Sequence, residues 1–360
     1  MSTVSARPFG NLPDGNPIEL YAIRVGAIEL HAITLGAIIT SLRVPDSQGR
    51  MADVVLGHSN LAPYLQNTPY LGAVVGRCAN RIAEGRFRLD DVEHQLAINE
   101  APHHLHGGDR GFDQQRWVAR SSSRAGATGV TFERTSPAGE ERYPGTLHVA
   151  VSYFVTPDAT VILEYEATSD APTIVNLTQH TYFNLAGETS RSILDHELTI
   201  HADRFTPIGP TRIPSGAIAH VEGTPFDFRT PVRVGDRIDL PDEQLRRAGG
   251  FDHNFVLTPV NQTRRTAVEL YDPLSGRRLE MTTSEPGVQF YSGHKLDGTL
   301  TGAYGRSLDC HAGLCLESQH FPDAPNQPSF PSVTLRPGEQ YRSTTSWRFS
   351  ISGEREERED

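Results

Sequence analysis

The sequence predicts an all-β fold, a large antiparallel β-sandwich with few short helices. Apolar and polar residues alternate at period two, 32 glycines and 25 prolines punctuate the chain, and helical periodicity is scarce. Period-two alternation sends every second side chain to one face of a strand, so one face can be buried and the other left polar. Many short strands broken by frequent turns favour a sandwich over helical layers.

Taken in chain order, the opening stretch MSTVSARPFGNLPDGN has no apolar run of the kind a secretory signal carries. IELHAITLGAIITSLRV, residues 28–44, reads as a strand pair or one long bent strand. LAPYLQ (61–66) and PDEQLRRAG (241–249) are the helix candidates. In 147–155, Leu147, Val149, Val151, Tyr153 and Val155 share a face. In 161–167, Val161, Leu163, Tyr165 and Ala167 do the same, with Glu164 and Glu166 opposite. The connector TPDAT between them has turn chemistry, so the two runs form a hairpin. A third hairpin is expected over 267–283, turning at Asp272, Pro273 and Gly276. Residues 353–360, GEREERED, are nearly all charged and are expected to be disordered. No internal repeat or linker-like stretch divides the rest, so residues 1–352 are expected to form one domain.

Composition narrows the function. The 360-residue chain carries a net charge of −11. An acidic chain argues against nucleic acid or an anionic membrane surface as partner, since both require a basic footprint. No stretch reaches the ~18 apolar residues that a membrane span needs. Three cysteines, Cys78, Cys310 and Cys315, are too few and odd in number for a disulfide framework. They suit a reducing compartment, and a cytoplasmic location is expected. The CHAGLC spacing at 310–315 matches no common zinc pair.

Five segments interrupt the alternation with dense polar or glycine-rich sequence. They are GRCANRIAEGRF (76–87), NEAPHHLHGGDRGFD (99–113), NLTQHTYFNLAG (176–187), GGFDHNFVL (249–257) and GLCLESQHFPDAPNQPSFP (313–331). Polar groups mixed this closely with aromatics are costly to bury unless they are partnered. Each admits a structural reading. His180 could be a hydrogen-bonded core histidine, Glu317 a paired carboxylate, Arg81 an ion-pair partner, and Asp252 a turn cap. The histidines of HHLH could hold a metal, since on a strand His104 and His106 would point to one side, with Asp252 or His253 completing the site. Loop or pocket histidines are the alternative. Considered together, the residues suit proton transfer. A histidine and a carboxylate can exchange protons near neutral pH, while Arg, Asn, Gln and a second His can fix hydroxyls. The chain has no serine nucleophile elbow, no phosphate loop and no dinucleotide fingerprint. The inventory fits acid–base chemistry on a small polyol without a cofactor.

These segments carry a close resemblance to the aldose 1-epimerase family, over residues 10 to 350. GRCANRIAEGRF resembles the family's GR-x-ANRI-x-x-G-x-F, and LHGG followed by RGFD matches directly. NLTQHTYFNLAG resembles N-L-T-[NQ]-H-[ST]-YFNL-x-G, GFDHNFVL resembles G-[FY]-DHNF, and PGVQFYSG resembles PG-x-Q-x-Y-[ST]. CLESQHFPDAPNQPSFP followed by LRPGEQY matches the C-terminal signature. The resemblance implies a β-supersandwich that interconverts the α and β anomers of free aldohexoses such as galactose and glucose. It implies no metal and no other cofactor. By motif position, His180 would be the general acid and Glu317 the general base. Asn80, Arg81, His106, Tyr182, Asp252 and Gln289 would hold the monosaccharide. Gln179 stands where Asn is common, and His294 where many members have Asn, so His294 is expected near the sugar site. The alternatives are a hexose-6-phosphate 1-epimerase, which would need extra cations at the pocket, and a non-catalytic sugar-binding module on the same fold. Whether the chain is a monomer or a homodimer is not set by the sequence.

Overall fold

The alternating segments become strands, and the ladders between them are antiparallel. The computed structural model describes residues 2–66, 69–187, 190, 192–257 and 265–351. The expected tail, 353–360, lies outside the described residues.

A nine-stranded sheet runs in the order Val118–Arg124, Ala127–Ser136, Leu147–Val155, Thr160–Ser169, Tyr341–Ile351, Arg277–Thr283, Arg265–Tyr271, Glu197–Ile200, Val232–Arg233. A six-stranded sheet orders Tyr182–Phe183, Leu314–Gln319, Gly287–Tyr291, Asp252–Val256, Arg204–Phe205, Ala219–His220. A five-stranded meander uses the first strands, Ser2–Asn11 through Met51–Asp53. One apolar cluster draws on all three: Ile23, Leu30 and Leu42 from the meander, Val151, Leu163 and Trp347 from the large sheet, and Val288, Phe290 and Leu316 from the six-stranded one. Each such buried side chain contributes roughly 1.5–3 kcal/mol.

The hairpins form for the local reasons read in the sequence. Thr160 Oγ1 donates to Asp158 Oδ2 (3.2 Å) across the TPDAT turn. At the 272–276 turn, Ser275 N–H donates to Asp272 Oδ2 (2.8 Å), and Gly276 takes a φ of +73° that favours glycine. Residues 28–44 resolve as a strand pair, Ile28–Ile33 with Ile39–Pro45, joined through Gly36 and Ala37 in left-handed conformation. LAPYLQ yields only a single 3₁₀ turn, Ala62–Leu65. PDEQLRRAG yields the α-helix Glu243–Ala248, capped by Asp242 and ended by Gly249 at φ +84°.

Several strands were not singled out in the sequence, Ala127–Ser136 and Tyr341–Ile351 among them, and two elements carry no local signal at all. Ser2–Asn11 is mostly exposed, so side-chain pattern carried no signal; it pairs by backbone with Pro17–Val25 at the meander's edge. The four-residue helix Gly235–Ile238 is too short for periodicity to register. No helix among the described residues is long and apolar enough to cross a membrane.

The six-stranded sheet matters most for function. On Leu314–Gln319, Leu314 and Leu316 face the large apolar cluster. By period two, Cys315, Glu317 and Gln319 face the other way, and all are buried. On Gly287–Tyr291, Val288 and Phe290 face the cluster and Gln289 the opposite side. One face of the sheet is therefore core, and the other is a buried polar surface.

Candidate active site

On that polar face, Asn254, Gln289 and Glu317 are direct register partners across three strands. Gln289 Nε2 donates to Asp252 Oδ1 at 2.7 Å. Arg81 Nη1 lies 3.6 Å from Asp252 Oδ2 and its Nε donates to Glu100 Oε2 at 2.6 Å. Burial alone would raise the Asp252 carboxyl, but Arg81 and the Gln289 amide outweigh it and hold Asp252 well below the usual carboxylate range.

His180 follows the short strand Thr178–Gln179, and its backbone is clamped on both sides. Its N–H donates to Ala73 O (2.9 Å), and its carbonyl accepts from Gly72 N–H (2.9 Å). This fixes the ring beside the sheet, where Nε2 lies 3.7 Å from Glu317 Oε1. Tyr70, Tyr182, Tyr291 and His106 surround the imidazole, with ring centroids 5.1 to 6.3 Å away. Glu317 Oε2 is buried and meets no hydrogen-bond partner among the described residues. A buried carboxylate oxygen of this kind is suited to a hydroxyl of a bound molecule.

Burial sets the protonation of this pair. It lowers His180 to about 4 and lifts Glu317 well above the ordinary carboxylate range. A general-acid role for His180 calls for a charged imidazole, supported by a nearby carboxylate. Desolvation outweighs that support and favours the neutral imidazole and the protonated carboxyl. Asp252 favours a charge on His180 and disfavours one on Glu317, where Arg81 acts in the opposite sense.

His106 sits at φ +51° and faces Asn80 at φ +62°, a pair of left-handed residues whose strain is held by reciprocal bonds. Asn80 N–H donates to His106 Nδ1 (3.2 Å), and His106 N–H donates to Asn80 O (3.1 Å). Because Nδ1 accepts, the neutral ring carries its hydrogen on Nε2. His106, His180 and Glu317 do place three potential ligand atoms within 4.8 Å. A metal on His106 Nε2 would require that hydrogen to be absent, so the donor set fits a hydrogen bond to a sugar oxygen better than a cation.

The other histidines of HHLH do not join the site. The strand ends at Leu105, and His104 turns away to Ala97 O (2.8 Å) and Tyr143 Oη (2.6 Å). His103 Nδ1 accepts from Glu84 N–H (3.0 Å). His253 packs against Phe205 and Phe226 on the far face of its strand. The shared side expected for His104 and His106 fails because the backbone leaves the strand conformation between them.

The eight residues expected at the site therefore form one connected group. Tyr182 contributes its ring, its hydroxyl being bonded to Pro69 O (2.9 Å). The Asn80 side-chain oxygen accepts from Arg81 N–H (2.9 Å), shaping the turn that presents Arg81. Gln179 is structural: it binds Tyr153 Oη (2.9 Å) and Gly72 O (2.6 Å). His294 bonds Ser292 Oγ (3.2 Å) and packs on Tyr291, beside Gly249 and Gly250, so it buttresses the wall. Tyr70, Tyr291, Glu100 and Cys315 were missed. Tyr291, Glu100 and Cys315 lie inside the polar motifs and could have been weighed; Tyr70 carries no local signal. A polar groove of about 600 Å³ opens alongside, lined by Tyr70, Glu100, Asp109, Asp113, Gln114 and Lys295 among others.

Comparison with known proteins points to one family. The family model described as aldose 1-epimerase matches residues 19–348. A human galactose mutarotase is 48% identical over 353 residues, covering 98% of this chain and all of that protein. An aldose 1-epimerase of Escherichia coli is 36% identical over 94% of this chain and 96% of its own length. Among solved structures, a galactose 1-epimerase from Lactobacillus acidophilus superposes with a TM-score of 0.86 at 26% identity, over 98% of this chain and 99% of its own.

Proposed function

The chain belongs to the aldose 1-epimerase family, and from that premise we propose that it interconverts the α and β anomers of free aldohexoses such as galactose and glucose. The enzyme is an isomerase acting on a carbohydrate. The observation that carries the mechanism is the buried His180–Glu317 pair at 3.7 Å.

A cyclic aldose changes anomer by opening its ring. The C1 hydroxyl loses a proton and the ring oxygen O5 gains one, so a base and an acid acting together suffice. Glu317, as carboxylate, takes the C1 proton through its unpartnered oxygen. His180, carrying the pair's proton on Nε2, delivers it to O5. The C1–O5 bond breaks and the C1 hydroxyl becomes an aldehyde. After rotation about C1–C2, the two groups exchange roles and the ring closes on the other face. His106 Nε2–H, Arg81, Asn80, Asp252 and Gln289 hold ring oxygens and hydroxyls, while Tyr182 supplies a face for the ring. Holding the reacting atoms against both groups makes the proton transfers effectively intramolecular. No electron leaves the sugar, so the reaction asks nothing of a redox cofactor.

A phosphorylated substrate is the less favoured reading. Arg212 and Lys295 already pair with Glu100, at 2.9 and 3.7 Å, as Arg81 does at 2.6 Å. The free thiols Cys78, Cys310 and Cys315 accord with the proposed cytoplasmic location. Polarimetry on freshly dissolved α-D-galactose and α-D-glucose tests the proposal. Faster approach to anomeric equilibrium supports it. Sugar binding without acceleration points to the binding module, and stronger competition by glucose 6-phosphate than by glucose points to the phosphorylated substrate.

A further inference from the structure

The His180 ring is bracketed by two side chains of one strand. Glu317 Oε1 lies 3.7 Å from Nε2, and Cys315 Sγ lies 3.5 Å from Nδ1. Residues 315 and 317 are two apart, so the pleat puts both on the same face. Cys315 is fully buried and is the register partner of Tyr182, whose ring packs on His180. Its sulfur therefore has a fixed position at the nitrogen that does not face Glu317. The mechanism above makes no use of it.

We infer that Cys315 is a positioning residue for His180, a neutral partner that keeps the imidazole aimed at Glu317 and the sugar while its protonation changes. In the reaction His180 must give a proton at Nε2 and then take one back. The imidazolium carries hydrogens on both nitrogens, and once Nε2 has given up its proton the neutral ring keeps its hydrogen on Nδ1. Nδ1–H therefore donates in both states and the sulfur accepts in both. A carboxylate in this place would also accept, but its charge would hold the imidazolium and hinder delivery of its proton. Burial pushes the thiol well above its usual range, so it stays neutral and adds no anion beside the ring.

The inference rests on the proposed acid–base roles, so the test carries controls for them. Mutarotation kinetics would be measured for wild type, Glu317→Gln, Cys315→Ala and Cys315→Ser. Cys315→Ala is expected to lower kcat about 3- to 10-fold, the worth of one weak neutral hydrogen bond, with KM within about twofold. Cys315→Ser, whose hydroxyl can also donate or accept, is expected to recover most of the loss. A Cys315→Ala enzyme with unchanged kcat overturns the inference, as does a Cys315→Ser enzyme no faster than Cys315→Ala. If Cys315→Ala does not fold, the serine variant still decides: kcat within about threefold of wild type is expected, and a greater loss at unchanged KM overturns the role. Wild type without acceleration, or Glu317→Gln as fast as wild type, would instead remove the acid–base reading.

Discussion

Glu317 and His180 differ from ordinary residues of their kind mainly through burial. Burial raises the Glu317 carboxyl and so favours its neutral form, with which glutamine is close to isosteric and isoelectronic. Glu317→Gln is thus expected to fold and to bind sugar, yet to lose about 10²- to 10⁴-fold in kcat, the usual worth of a general base. His180→Asn is expected to fall in the same range; polarimetry with full activity in either variant would sink the assignment. The pair also sets the pH dependence. It works with one shared proton, and His180 takes up a second only near pH 4. On the acid side, activity is expected to hold down to about pH 5 and then to fall, because both groups are protonated and no base remains. An acid limb near the ordinary imidazole value of ~6.5 would show that His180 is not desolvated in this way.

At the scale of the element, the strand Leu314–Gln319 does two tasks at once. Its even positions pack the core and its odd positions equip the site, so a register slip of one residue would exchange Leu316 with Glu317. Neighbouring strands hold that register through Gln289 on one side and Tyr182 on the other. The helix Glu243–Ala248 has a different logic. It is too short to stand on propensity, and Asp242 Oδ1 holds its first turn by accepting from Gln244 N–H (2.7 Å) and Leu245 N–H (3.3 Å). Asp242→Ala is expected to cost about 0.5–2 kcal/mol in chemical denaturation while leaving kcat unchanged. The PDEQLRRAG stretch announced this helix because cap and C-terminal glycine are local signals. Ser2–Asn11 announced nothing, because an exposed edge strand is defined by its partner.

Across the whole molecule, several histidines are locked into the interior uncharged. Burial lowers His104, His196 and His253 each to about 4. In the unfolded chain they would titrate near ~6.5, so below that pH the unfolded state binds more protons than the folded one. Their stabilisation is complete above pH ~6.5 and is lost as pH falls through about 4. His180 and His294, also lowered to about 4, act the same way. Asp113, raised by burial to about 6, opposes them, as do Glu317 and Asp323, also raised by burial. The histidines outnumber the raised carboxyls, which leaves a net loss. The thermal midpoint is expected to drop steadily between pH 6.5 and 4, and a midpoint flat over that range would contradict the buried-neutral description.

The sequence by itself determined the all-β class, the hairpins around TPDAT and Asp272–Gly276 and, through the family motifs, eight of the residues that gather at the site. Period-two alternation, turn residues and short polar motifs are local, and each is legible without knowing what packs against it. Only the tertiary structure decided that His106 belongs to the site while His104 faces Tyr143, because that turns on a change of backbone conformation after Leu105. It likewise put Cys315 against His180, made Gln179 and His294 supports for the site's walls, and shifted the pair's proton toward Glu317. Distances between residues far apart in the chain, and the loss of water around them, are set by packing; no single segment contains them.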